Sequence, residues 1–536
     1  MFLKYRDAIV VELPSGLIAG LREGANSLKR TADVIVLAMA SAISFIGWKF
    51  YFDQNLVLAY NDSMSHLDIA RRVVDGLNPG IAQIGSVWLP LPHLLSLPFV
   101  WSDFLWHSGL AGTLISCLAF IGTAYFLYRL VLLLTRDTIS GILASLVYIL
   151  NPNIIYLQAT PMTESLLLFF FVISTYYLLL WQKKDSYKYL ALAGFYTLAA
   201  TLTRYDGWML LAQMLIVVAI ISYRFGKWKK VEGNLFLFGT IAVYGILLWF
   251  LWNLLIFQDP LYFLNGPFSA KAQQLVFEAE GRLPTKHDLL YSSYIYILAV
   301  LRNNGALLSL LGGVGLIGFL FRKKLSSETL VISLLLSPLI FNIAALFTGN
   351  SIINLLELPP YTLFNVRYGI MMLPFVAVMV AYLARRQRLI QLLFLIVLLL
   401  QTASIYRNDD VITVKDGISG ASAQGMTETG RWLGENAKSG LILIAASSQD
   451  SLIFQSGLPM TRFIYEGDGE YWKESLADPT SHASYIAMHH GDLIYREIFD
   501  KSSFLLNYKK IYDGEFTDIF EYSPDAEIPL TAKDLP

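Results

Sequence analysis

Asp62, Asp68, Glu164, Arg204, Asp206, Glu357 and Arg367 are charged residues set beside long apolar runs, at or near their ends. A charge at membrane depth is expensive and is usually paired or functional, whereas a lone Arg or Lys near an interface snorkels cheaply. Acidic side chains are too short to snorkel far, so the acids at helix starts carry the stronger signal. Asp62 follows the first apolar run directly, in YNDSMSHLDIARRVVDGLNPG. A carboxylate placed there has the chemistry of a general base for an acceptor hydroxyl or amine. The structural alternative is an ordinary helix cap, worth about 1 kcal/mol.

Composition says what must hold these residues. Of 536 residues, 55% are hydrophobic and 15% charged, and the mean hydropathy is +0.52. A water-soluble domain averages about a quarter charged, and one large core cannot absorb the difference, so much of the surface faces lipid. A bilayer crossing takes about 20 apolar residues. Such runs recur near 33–52, 108–134, 138–158, 164–181, 188–204, 208–223, 234–257, 303–321, 327–347, 368–384 and 389–406, about eleven crossings in all. The expected fold is an all-α polytopic membrane bundle over 33–406. A cytoplasmic N-terminal segment, 1–32, precedes it, and a small soluble α/β domain, 407–536, follows.

Orientation follows from the basic turns. Lys29 and Arg30, Arg129 and Arg136, and Lys183, Lys184 and Lys188 fall on the N-terminal side of the count. So do Arg224, Lys227, Lys229 and Lys230, then Arg322, Lys323 and Lys324, then Arg385, Arg386 and Arg388. That side is read as cytoplasmic, which places segments 53–107, 258–302 and the tail outside a plasma or inner membrane. Polar residues precede the first run and no small-residue cleavage site follows it, so the first helix is read as a retained anchor.

In the first outer segment, Asp62 and Ser63 read as N-caps of an amphipathic interfacial helix over Met64–Leu77. SVWLPLPHLLSLPFVW, which contains His93, is apolar but cut by Pro90, Pro92 and Pro98; it reads as re-entrant or interfacial. KAQQLVFEAEGRLPTKHD reads as a helix and a flexible stretch suited to order over a lipid. Trp88, Trp101 and Trp106 read as an interfacial belt. In the tail, SGLILIAA and ASYIAMH read as buried strands, TETGRWLGENA as a helix, and FLLNYKKIYDGEFTDIFEY as closing strands with a turn at Asp513–Gly514. Asp409 and Asp410 read as a solvated cap, MHHGD (488–492) as a loop, and the single cysteine, Cys117, as a packing residue. A net charge of −1, with no basic arm and no zinc-finger spacing, excludes nucleic acid as the partner.

Four stretches in order along the chain carry a resemblance: YNDSMSHLDIARRVVDG, TPMTESLLLFFF, TLTRYDGW and FNVRYGIMMLPF. They resemble the membrane glycosyltransferases of the C-type fold, among them the protein O-mannosyltransferases and the aminoarabinose transferases that modify lipid A. The resemblance covers roughly residues 33–406, and TETGRWLGENAKSGLILIAA looks like the outer C-terminal module of many such proteins. It implies inverting transfer of a sugar from a polyprenyl-phosphate donor to a protein, lipid or glycan acceptor on the non-cytoplasmic face, among membrane lipids. Asp62 matches the aspartate that deprotonates the acceptor, and Arg367 a cation at the donor phosphate. Tyr368, His66, His93, Glu164, Arg204 and Asp206 are implied as the wall that binds donor phosphate and substrate. A planar, permanently charged fork suits two phosphate oxygens. The lipid phosphate is already a good leaving group, so one base with phosphate stabilisation suffices.

Some positions depart from the family's pattern. Tyr205 and Asp206 stand where it has Pro and Glu, Ser63 where several relatives have Glu, and SVWLPLPH lacks a lysine that some carry, leaving His93 for part of that role. No cofactor is expected. The alternative is a divalent metal on Asp62, His66, Asp68 and Glu164, because oligosaccharyltransferases of the superfamily use one. A transporter or lipid flippase is the other class open to a polytopic bundle. No internal repeat is visible and the charges gather at one face, which favours an enzyme.

Overall fold

The computed structural model describes residues 15–419, 426–499, 505 and 507–523. Residues 1–14 of the expected N-terminal segment, and parts of the tail that include Phe504 and Leu506 of the expected closing strands, lie outside the described residues. The helices of the first half are α1 (Ser15–Asp53), α2 (Asn61–Arg72), α3 (Leu91–Val100), α4 (Asp103–His107), α5 (Leu110–Thr135), α6 (Thr138–Ile149), α7 (Pro152–Leu157), α8 (Glu164–Lys184), α9 (Tyr187–Thr201) and α10 (Asp206–Phe257). Then come α11 (Tyr262–Asn265), α12 (Ala270–Ala279), α13 (Leu289–Asn304), α14 (Ala306–Lys323), α15 (Ser327–Ile332), α16 (Ser337–Thr348), α17 (Leu373–Leu383), α18 (Arg388–Arg407) and α19 (Ile412–Ser419).

Among the described residues, eight helical stretches are long and apolar enough to cross a membrane. The expected runs fall on helices, with instructive breaks. Run 138–158 is two helices, because the Asn151 side chain accepts from the N–H groups of Asn153 and Ile154 and Pro152 restarts the chain. Runs 208–223 and 234–257 are two arms of α10, parted by non-helical backbone at Gly226 and Lys227. The apolar runs predict no separate helix over 289–304. There α13 leads through Gly305 (φ 81°) into α14, which runs in parallel register with α17. A Cβ on Gly315 would lie 2.4 Å from the Met379 carbonyl oxygen, so glycine is what lets these helices approach.

The basic turns gather at one end of the bundle. Lys183 and Lys323 both pair with Glu328, Lys230 pairs with Asp185, Arg224 donates to the Leu325 carbonyl, and Arg388 pairs with Asp137. The opposite end carries α2–α4, segment 258–288 and the C-terminal module.

That module contains α20 (Met426–Asn436), β1 (Leu441–Ile444), α21 (Ala446–Ser456), β2 (Phe463–Ile464), α22 (Glu470–Ala477), β3 (Ala483–His489), β4 (Tyr508–Tyr512) and β5 (Thr517–Tyr522). The five strands form one mixed sheet in the order β2-β1-β3-β5-β4, parallel where β1 meets its neighbours and antiparallel around β5. One face of that sheet shares its apolar core with the bundle, and the other packs within the module. Met64, Leu67 and Ala70 of α2 pack in one cluster with Trp106, Ala111 and the module's Leu452, Ile453 and Phe454.

Candidate active site

Four elements converge on Arg367. The chain from Val366 to Met372 is a 3-10 turn entered through Asn365 at φ 55°. Asn303 donates to the Val366 carbonyl (2.6 Å), Asn304 to that of Gly369 (3.0 Å), and the Tyr296 hydroxyl to that of Tyr368 (3.2 Å). These bonds fix the backbone that bears the guanidinium.

Helix α2 begins at Asn61 after an extended Tyr60, with no side-chain cap. This corrects the expectation that Asp62 and Ser63 cap a helix over Met64–Leu77: the helix starts earlier and ends at Arg72. Asp62 sits in its first turn and sends Oδ2 to Arg367 Nη2 at 2.5 Å. Glu164 opens α8 and is fully buried. Its Oε1 accepts from Arg367 Nε (3.2 Å) and Arg204 Nη1 (3.3 Å), while Oε2 has no partner. Arg204, in the turn between α9 and α10, also donates to Thr163 Oγ1 (3.1 Å) and pairs with Asp206 (3.4 Å). Tyr368 lies between the two arginines, its ring centre 5.1 and 5.2 Å from their guanidinium carbons. Tyr60 covers Arg367 at 4.8 Å. Buried charges of this kind persist only when paired.

His66 faces the same end. Its Nδ1 lies 2.9 Å from His93 Nε2, its ring 4.3 Å from Trp88, and His93 Nδ1 is buried without a partner. Burial first, then His93 and the two arginines, holds His66 well below the usual histidine range. Burial alone pushes His93 down to about 3. Both rings are therefore neutral, so the 2.9 Å contact is one N–H donating to one ring nitrogen. A narrow cleft lined by His66, His93, Ser96, Ser116 and Thr163 adjoins the pair. Trp88, expected in an interfacial belt, lies here against His66.

The structure thus brings together Asp62, Glu164, Arg204, Asp206, Arg367 and Tyr368, with His66 and His93 beside them. It does not bring in Asp68. Six residues along α2 turn Asp68 about 240° from Asp62, and it is buried against the module instead. The alternative metal set Asp62, His66, Asp68 and Glu164 is therefore not assembled. Among the described residues, no three His, Cys, Asp or Glu side chains form a group suited to a metal. Glu357 pairs with Arg302 at an exposed position. Asp410 is partly exposed between Arg302 and Lys415. In MHHGD, Asp492 accepts from the His489 and Tyr495 N–H groups and ties its own loop.

Sequence reasoning missed Asp416 of α19. Its Oδ2 accepts from the Tyr60 hydroxyl (2.9 Å) and lies 3.9 Å from Arg367 Nη1. The only local sign was a lone acid in ITVKDGIS, while the adjacent pair Asp409–Asp410 drew attention a few residues too early.

Residues 104–252 match the family model described as dolichyl-phosphate-mannose-protein mannosyltransferase. No curated protein matches by sequence. Solved structures match over nearly the whole chain. ArnT from Cupriavidus metallidurans bound to undecaprenyl phosphate shares 10% identity over 91% of this chain and 97% of its own, with a TM-score of 0.54. The apo form of that protein gives 12%, 92%, 98% and 0.55. The Archaeoglobus fulgidus oligosaccharyltransferase, in complex with Zn and sulfate, gives 12% over 94% of this chain and 74% of its own, with a TM-score of 0.51. This chain is an integral membrane protein with the fold of the C-type membrane glycosyltransferases, the fold its four short motifs resembled.

Proposed function

We propose that the chain transfers a sugar from a polyprenyl-phosphate donor to an acceptor on the non-cytoplasmic face, with inversion at the anomeric carbon. The observation that carries the reading is the single guanidinium of Arg367 shared between Asp62 and Glu164. A catalytic carboxylate and a phosphate-binding fork are already in contact.

The cluster has two guanidiniums, Arg204 and Arg367, against four carboxylates, Asp62, Glu164, Asp206 and Asp416. It therefore offers no spare positive charge to an incoming phosphate. The donor binds by drawing the Nη edge of Arg367 from Asp62, while Glu164 keeps hold of Nε. This exchange releases Asp62 only when a donor is present. The freed carboxylate takes the proton of the acceptor hydroxyl or amine as that atom attacks the anomeric carbon. The bond from that carbon to the phosphate oxygen breaks, and its electron pair leaves on the lipid phosphate, which Arg367 neutralises. Attack from the side opposite the phosphate inverts the centre. His66 and His93, as neutral rings, are suited to hydrogen-bond sugar hydroxyls. The gathering of basic turns at the far end supports a cytoplasmic N-terminal side and an outer module.

The test is sugar transfer in reconstituted vesicles with radiolabelled hexosyl and pentosyl polyprenyl phosphates. Transfer from one donor, with release of polyprenyl phosphate, is expected; failure across the panel overturns the reading. A reporter fused after Pro536 is expected outside, and a cytoplasmic reporter overturns the orientation.

A further inference from the structure

Helix α2 has two working faces. Asp62 and His66, four residues apart, look toward Arg367. Met64 and Asp68 are turned away from it toward the module, and Arg72 reaches the module from the last turn of the helix. There the Arg72 guanidinium pairs with Asp450 of α21 and lies over the Tyr465 ring at 4.7 Å, and both charged side chains are nearly buried. Met64 touches Gln455 nearby. Asp68 lies in the same seat, fully buried, with neither oxygen hydrogen-bonded. Burial, then the Asp450 carboxylate, pushes its carboxyl well above the usual range.

The apolar contacts between α2 and the module are non-directional. They hold the helix down but tolerate rotation or sliding along its axis. A buried ion pair has one geometry and leaves an uncompensated charge if it slips. One residue of slip turns a helix by about 100°, enough to carry Asp62 away from Arg367.

We propose that Arg72 and Asp450 are positioning residues: their pair latches the last turn of α2 to the C-terminal module and thereby holds Asp62 in register with Arg367. The module is then a clamp on the helix that carries the base. The catalytic part of this inference rests on the proposed transferase reading; the mechanical part does not.

The test uses the full chain in vesicles and two readouts. The first needs no turnover: thiol modification of Asp62→Cys in a Cys117→Ser background, with and without Asp450→Asn. Loss of the latch is expected to speed modification at least about threefold and to raise amide exchange along α2 but not along α8. The second is kinetic: Asp450→Asn in the parent chain is expected to lower kcat about tenfold to a hundredfold with little change in donor KM. Asp450→Glu is expected to restore most of it. Arg72→Lys, which keeps the charge and loses the fork, covers the case in which Asp450→Asn does not fold, and is expected to shift both readouts less. Unchanged thiol reactivity and exchange overturn the latch whatever the enzyme does. Faster modification with unchanged kcat overturns the positioning role. A parent chain inactive on every donor overturns the transferase reading, while thiol reactivity still decides the latch.

Discussion

Two buried carboxylates at opposite ends of the bundle differ in how fully their surroundings satisfy them. At the basic end, Asp137 accepts from the Arg386 N–H (2.9 Å), Ser140 Oγ (2.7 Å), Gln391 Nε2 (2.6 Å) and Arg388 Nη1 (3.1 Å). Burial alone raises its pKa, but these bonds outweigh burial and pull it down to about 2. Both oxygens are engaged, Oδ2 by three donors and Oδ1 by the Arg388 guanidinium. At the module end, Glu164 is as deeply buried, yet one oxygen shares two guanidiniums and the other has no partner. Beside it, His93 keeps a ring nitrogen unpartnered. Buried polar groups are ordinarily satisfied, so unmet capacity in a charged cluster calls for a reason. A substrate that completes the set is a direct one.

Mutations at the two ends should therefore fail differently. The largest effect is expected from Arg367→Ala, which strands Asp62 and Glu164 and removes the phosphate fork: transfer falls by at least about a thousandfold, measured as initial rate in vesicles. Glu164→Gln keeps the shape but loosens both arginines, and is expected to lower kcat about tenfold to a hundredfold. At the other end, Asp137→Asn is expected to lower stability by about 2–4 kcal/mol while transfer per folded molecule stays unchanged. The sign of its pH dependence follows from the depressed pKa. The stabilisation is complete above the unfolded carboxylate value, about 4, and is lost as pH falls through about 2. The Asn variant loses this acid limb in a thermal-denaturation series. The smallest effect is a null one: with His66 and His93 held neutral, neither contributes a limb, so His66→Asn and His93→Asn are expected to leave the shape of the pH profile of transfer unchanged.

Much of this contrast was legible in the residues. Apolar runs and basic turns gave the bundle and its two ends, because lipid imposes length and charge rules that act one segment at a time. Asp62, Glu164, Arg204 and Arg367 stood out as charges at costly positions, and the structure gathers all four. What the sequence hid depends on rotation and on distance along the chain. Asp62 and Asp68 look alike in DSMSHLD, but helical turn sends them to different faces. Asp416 reaches the cluster only because α19 folds back under Tyr60. Helix α13 was hidden because its apolar stretch, Tyr294–Leu301, is too short for a crossing and is closed off by Arg302, Asn303 and Asn304. Arg72 and Asp450 lie 378 positions apart, and no local pattern announces their pairing.

The most direct measurement compares transfer by the parent chain, Asp62→Asn and Asp137→Asn at matched amounts of folded protein. Asp62→Asn is expected to lose about a hundredfold to ten-thousandfold in kcat, the range of a general base, while Asp137→Asn matches the parent. Full transfer by Asp62→Asn, or an equal loss in both variants, would contradict the assignment of the reacting site to the module end.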